Sequence, residues 1–239
     1  MADALPRKPL VAGTGFLIHP EGFALTARHV VDDANQLATS TGGALRAGLA
    51  IPELTGNVTI RASFEHVKLD VVEVDPRHDL ALVKLDPNPF ASGKASGVAR
   101  SPEGGIVVNA QYGLATLWGG VPRDGDSVAV SGYPTVAPAL VTTHGIVASA
   151  TALDVVETEV PGAPEGFTFP DARDSYLLDV AVNPGNSGGP AYLVYEAAVI
   201  GVCVAFRPVG QPPFMYNSGI SIAVPVKYGV ELLARHAQL

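Results

Sequence analysis

Cysteine is nearly missing from this chain. Cys203 is the only one in 239 residues, so no disulfide can close within it and stability must come from a buried core. Basic residues are also few: 15 Lys and Arg against 23 Asp and Glu give a formal net charge of −8. The cations are scattered singly, so there is no basic stripe for phosphates, which excludes nucleic acid and an anionic membrane surface. No apolar run approaches the ~20 residues of a bilayer-spanning helix, so membrane insertion is not expected. The opening residues, Met1 to Gly13, carry the pair Arg7-Lys8 but no apolar stretch of signal-peptide length. A cytoplasmic chain is the expectation, with the mature domain of an exported protein as the alternative. Neither H-E-x-x-H nor a comparable ligand cluster occurs, so no metal and no cofactor are expected.

Apolar residues make up 47% of the chain and charged ones only 16%, so the chain is expected to pack as a globule. Short apolar or alternating runs recur between Gly, Pro, Asn and Asp: Gly15 to Ile18, Val67 to Val74, Leu80 to Leu85, Ser127 to Val130, Leu140 to Ala148 and Val199 to Phe206. Runs of this kind read as strands. Only Pro225 to Gln238 has a helical pattern, with Val226, Val230, Leu233 and Ala234 roughly on one face and Pro225 near its start. The expected architecture is all-β, two antiparallel lobes and a C-terminal helix. A Pro/Gly/Ser-rich stretch, Pro87 to Gly105, reads as the connection between them. Glu157 to Asp174 reads as a surface loop.

The strongest local signal is Asn183-Pro184-Gly185-Asn186-Ser187-Gly188-Gly189-Pro190. A serine between glycines suits a tight turn that presents its hydroxyl while neighbouring backbone approaches a ligand. Successive N–H groups in such a turn form an anion-binding nest, which acyl transfer needs because charge develops on the carbonyl oxygen. The Gly185-Asn186-Ser187 turn is the expected oxyanion hole, with the Gly185 and Ser187 amides as donors. Serine needs a base. The Gly13-Thr14-Gly15 strand and the Thr26-Ala27-Arg28-His29 turn supply one in His29, placed at a strand end. His19, His66, His78, His144 and His236 stand in no such context. A carboxylate must hold the imidazole in one tautomer. Asp79, which opens the alternating strand Leu80 to Leu85, is favoured, with Asp75, Asp70 and Asp179 as alternatives.

These three segments, in this order, resemble chymotrypsin-like serine proteases, in detail the bacterial Deg/HtrA branch. Further matches are Gly125-Asp126-Ser127-Val128, Gly132-Tyr133-Pro134, His144 to Ala150, Val199-Ile200-Gly201-Val202 and Gly219 to Pro225. The resemblance implies two six-stranded antiparallel β-barrels packed face to face within one peptidase domain. The first lobe would cover about 10–100, the second about 106–224, and the C-terminal helix about 225–238. It implies His29 as base, Asp79 as orienter and Ser187 as nucleophile in a serine endopeptidase, acting on protein or peptide. Three departures stand out. No peptide-binding PDZ segment follows the protease portion in this sequence, and no aromatic residue precedes Phe16. Apolar Cys203 and Val204 stand where the family more often has polar residues.

The same resemblance makes Ala181, six before Ser187, the floor of the primary substrate pocket, with Cys203, Val204 and Ala205 beside it. Without an acid there, cleavage after small or medium aliphatic residues is expected. Arg207 to Ser218, Pro161 to Asp174 and Asn183 to Asn186 are the expected loops around the site. By family analogy, ordering of these loops by an activating protein partner or an additional domain is expected. Gly185 to Gly189 matches the G-x-S-x-G elbow of α/β-hydrolases, but only Glu196, Glu231 and His236 follow Ser187 as acid or histidine. A catalytically silent, protease-like peptide-binding module is the non-enzyme alternative.

Overall fold

The computed structural model describes residues 12–55, 59–91, 97–100, 107–110, 113–135, 139–159, 168–211 and 214–238. In the first lobe, β1 (Gly15–His19) and β2 (Phe23–Ala27) lead into helix α1 (Arg28–Thr41), followed by β3 (Arg46–Thr55), β4 (Thr59–Asp75) and β5 (Leu80–Asp86). These strands form one antiparallel sheet in the order β1-β2-β5-β4-β3. A separate ladder pairs β6 (Gly97–Arg100) with β7 (Val107–Ala110), so strand structure lies within the stretch read as a plain connection. The second lobe contains β8 (Ser127–Gly132), β9 (Val141–Glu159), β10 (Thr168–Asp179), β11 (Pro190–Leu193), β12 (Ala198–Gln211) and β13 (Phe214–Pro225). It closes as a six-stranded barrel, β10-β13-β12-β11-β8-β9. Helix α2 (Val226–Ala234) follows.

The period-2 alternation of the central strands sorts their side chains into separate cores. Leu25, Leu80 and Leu82 face a core shared by both lobes and α2, which also takes Val202, Val204, Ile222, Val224, Leu232 and Leu233. Their neighbours Ala24, Ala81 and Val83 pack with Val31 of α1 on the opposite face. Val128, Val130, Val147, Leu178, Val180 and Cys203 fill the barrel. The two lobes are therefore joined by a continuous apolar layer, which fixes how the first lobe sits on the second.

Four sequence expectations are corrected. Helix α1 was not expected, because a single apolar pair is buried along its 14 residues, Val30 and Val31, and so no 3.6-residue stripe marks it. It ends at Gly42, whose φ of 63° is left-handed, with Gly43 N–H donating to Ala38 O at 2.8 Å. Second, Glu157 to Asp174 contains strand rather than only loop: Thr168 pairs Glu159 and Pro170 pairs Glu157. Third, Arg207 to Ser218 is also strand-rich, with Pro208 opposite Asn217 and Val209 opposite Tyr216. Prolines read as strand breakers, yet Pro170 and Pro208 sit where pairing continues. Helix α2 buries Val226, Gly229, Leu232 and Leu233; the expected Ala234 is exposed. A Cβ on Gly229 would press on Leu25, which sets how closely the helix approaches the sheet.

Candidate active site

His29 is the second residue of α1, at the end of β2. Helix N-termini carry orphan N–H groups and partial positive charge. Ala27 at the cap position offers no side-chain acceptor, so the acceptor comes from β5's leading turn. Asp79 Oδ1 accepts the His29 backbone N–H at 3.0 Å, and Asp79 Oδ2 meets His29 Nδ1 at 2.7 Å. The Asp79 carbonyl accepts Arg28 N–H at 2.9 Å. Asp79 itself has φ 55°, the left-handed region that aspartate tolerates better than most residues. One carboxylate therefore caps the helix and holds the imidazole on a rigid backbone.

Of the alternative acids, Asp75 bonds His78 and Asp70 bonds Lys68; neither is bonded to His29. The side chains of His29 and Asp79 are 38% and 22% exposed, so the pair is open to a substrate. The Asp79 hydrogen bond raises the His29 pKa above its ordinary value, against desolvation, which lowers it. The Asp79 and Asp33 charges add to the rise, and the Arg173 charge opposes it.

Ser187 sits in the turn between β10 and β11, tied to the first lobe by Thr14. Thr14 N–H donates to Ser187 O at 2.8 Å, and Thr14 Oγ1 donates to Gly185 O at 2.6 Å. Thr14 O in turn accepts Thr26 Oγ1 at 2.6 Å, and Tyr133 N–H donates to Thr14 Oγ1 at 2.9 Å. A Cβ on Gly188 would lie 2.9 Å from Ala27 N. The Ser187 turn therefore lies against the end of β2, two residues before His29. Thr14 and Thr26, both buried, were given no role from the sequence. The signal was present in the Gly13-Thr14-Gly15 and Thr26-Ala27 motifs, but only the folded chain pairs them.

The peptide planes of the turn decide where its N–H groups point, because C=O and N–H lie on opposite sides of a trans peptide. Pro184 O accepts Thr135 N–H at 2.9 Å, which turns the Gly185 N–H away from that loop. Asn186 O accepts Gly189 N–H at 2.9 Å, which turns the Ser187 N–H away from Gly189. Among the described residues, neither amide donates to a carbonyl. Gly185 has φ 100°, a left-handed geometry reserved for glycine here, since a Cβ would also press on Tyr133 and Pro134. The Asn186 N–H donates to Asn183 O at 3.0 Å and closes the turn, so it is spent inside the loop.

The expected pocket residues divide. Ala181 is exposed and Ala205 half-buried. Asn217 Nδ2, from β13, donates to Val182 O at 2.5 Å and so ties the β12–β13 hairpin to the segment leading to Ser187. Cys203 and Val204 are corrected, being 1% and 4% exposed. As neighbours on one strand they point to opposite faces, Cys203 into the barrel and Val204 into the core between the lobes. Burial pushes the Cys203 thiol up to about 12, which leaves no thiolate for a reactive or redox role.

Curated relatives include two proteins named probable periplasmic serine endoprotease DegP-like. That of Chlamydia pneumoniae is 26% identical over 91% of this chain and 33% of its own length. That of Pseudomonas putida is 27% identical over 92% of this chain and 34% of its own. The chain thus spans about a third of the length of these relatives. Among solved structures, the active form of a protease from M. tuberculosis superposes with a TM-score of 0.56 at 20% identity, over 95% of this chain and 74% of that one. The HtrA-type protease AlgW with decapeptide gives 0.54 at 22% identity, over 93% and 50%. These structures share the two-lobed β fold derived above. The model of the trypsin-like peptidase domain matches residues 13–202, which include both the His29–Asp79 pair and the Ser187 turn, and the chain belongs to that family.

Proposed function

We propose that the chain is a serine endopeptidase working through an acyl-enzyme. Ser187 attacks the peptide carbonyl while His29 takes its proton, and His29 returns that proton to the leaving amine. Asp79 holds the imidazole with its proton on Nδ1, leaving Nε2 free to accept, and steadies the imidazolium that forms. The Gly185 and Ser187 amides take up the developing oxyanion, each such donor contributing about 2.7–4 kcal/mol in the transition state. The observation that carries the reading is the two-point bond of Asp79 to His29 beside a serine turn clamped to the same strand end by Thr14. Among the described residues no hydrogen bond joins Ser187 Oγ to His29. Catalytic contacts of this kind commonly tighten only with substrate in place.

A fluorophosphonate probe is expected to label the protein, and Ser187→Ala to lose both labelling and peptide hydrolysis. Hydrolysis that survives Ser187→Ala sinks this assignment. Absence of labelling in the folded wild type would instead point to a silent peptide-binding module. Proteins or peptides are the proposed substrates, and we infer small or medium aliphatic residues before the scissile bond. Ala181 and Ala205 offer no charge to pair with Lys or Arg, whereas burying an aliphatic side chain is favoured by about 1.5–3 kcal/mol. In a peptide panel run with the same preparation, cleavage should be strongest after Val, Ala or Leu; a Lys or Arg preference overturns that inference. An activating protein partner or additional domain is part of the proposal, read from whether its addition raises the labelling rate. The names of the curated relatives place them in the periplasm, so the mature domain of an exported protein replaces the cytoplasm as the proposed setting.

The raised His29 pKa sets the acid limb of activity. A general base works only when neutral, so kcat/KM is expected to fall below a midpoint above the ordinary histidine value of about 6.5. Stability runs the other way. The His29–Asp79 contribution is complete below the unfolded histidine value and is lost as pH rises through the folded one. Activity therefore grows in the window where this contact is giving up part of its stabilisation. A pH–rate profile on a peptide substrate checks the midpoint, and a value at or below about 6.5 contradicts the arrangement.

A further inference from the structure

The β4–β5 connection, Pro76 to Asp79, carries a second aspartate–histidine clasp directly beside the first. Asp75 Oδ1 accepts the His78 backbone N–H at 3.1 Å, and Asp75 Oδ2 meets His78 Nδ1 at 2.6 Å. The His78 side chain is 12% exposed. Its ring is stacked on Tyr228 of α2, with centroids 3.6 Å apart and planes 14° from parallel. The Tyr228 hydroxyl donates to Asp174 of β10, which also accepts Lys227 Nζ at 2.7 Å. The far end of α2 is held to β4, where Arg235 and His236 meet Glu73 at 2.7 and 2.6 Å. The turn that ends in Asp79 is therefore held on one side by Asp75 and on the other by a ring anchored to the second lobe.

We propose that Tyr228 is a positioning residue for the Asp79–His29 pair, acting through the ring of His78. The inference rests on the serine-peptidase reading above. Left-handed φ at a residue other than glycine costs on the order of 1–3 kcal/mol and persists only when the surroundings hold it. Asp79 lies in that region, at φ 55°, one residue beyond His78. With the stacked ring gone, the turn relaxes and the carboxylate swings off His29 Nδ1. The C-terminal helix thus sets the geometry of the pair through the His78 ring, and couples that pair to β10.

The test compares Tyr228→Leu, Tyr228→Phe and His78→Gln. The His29 imidazole is titrated by NMR in the Ser187→Ala background, with its resonance assigned from His29→Gln. Peptide hydrolysis is measured in parallel with Ser187 intact. Tyr228→Leu is expected to lower the His29 pKa by about one unit and kcat about tenfold, with KM little changed. Tyr228→Phe, which keeps the ring, recovers most of both losses. His78→Gln leaves α2 intact and should reproduce the Tyr228→Leu shift, so it carries the test if Tyr228→Leu does not fold. A His29 titration unmoved in folded Tyr228→Leu and in His78→Gln overturns the inference. A titration that moves while the wild type shows no Ser187-dependent hydrolysis upholds the coupling and sinks the peptidase reading instead.

Discussion

Asp79→Asn is expected to lower kcat/KM by about 10⁴-fold while leaving the fold intact. The His29 backbone N–H, fixed in the first turn of α1, needs an acceptor and keeps the asparagine carbonyl at the Oδ1 position. The amide –NH2 then faces His29 Nδ1, where Asp79 Oδ2 now stands at 2.7 Å. Two donors cannot face each other, so Nδ1 must give up its proton and Nε2 must carry it. Nε2 is the atom that should accept the proton of Ser187, and its acceptor capacity is gone. Circular dichroism and a thermal melt should stay close to wild type, because the cap on the helix survives. A loss smaller than tenfold in the folded variant would show that Asp79 does not set the tautomer of the base.

Gly188→Ala is expected to carry the largest stability loss of a single added methyl group near the site. Gly188 has φ 83°, and its Cβ would fall on Thr14 O and Thr26 Oγ1 as well as near Ala27 N. Two of these three atoms belong to backbone and cannot move aside as a flexible side chain would. Left-handed strain of on the order of 1–3 kcal/mol and overpacking of about 1–3 kcal/mol together give roughly 2–6 kcal/mol. For a domain of this size that corresponds to a Tm lower by roughly 4–24 °C. The displaced atoms are the ones that tie the Ser187 turn to β2, so fluorophosphonate labelling well below the melt should slow as well. An unchanged melting curve would show that the two lobes do not meet at Gly188 as described.

Much of the candidate site was legible because its parts are local. The turn Asn183 to Pro190 declares itself by glycines around a serine, and His29 by two short strands running into it. Asp79 was the weaker assignment, since many carboxylates lie between His29 and Ser187 and position alone does not choose among them. The structure separates them by partner: Asp75 takes His78, Asp70 takes Lys68, and Asp79 takes His29. Helix α1 was not legible, because it buries only two adjacent side chains and its cap comes from a residue 50 positions away. Cys203 and Val204 were assigned to the pocket by position, and strand alternation then turned them into opposite cores. The role of His78 was equally hidden, since its stacking partner stands 150 positions further along the chain.

By itself, the sequence determined the all-β class and the order of the segments that carry the candidate serine and histidine. Each depends on neighbours a few residues apart, where turn chemistry and alternation act directly. Only the tertiary structure decided which carboxylate meets the imidazole, which amides of the serine turn are left pointing outward, and how Thr14 brings the two lobes together. The first and the last of these depend on contacts between residues 50 to 173 positions apart. They are set by the packing of whole strands and a shared apolar layer, which no local pattern encodes.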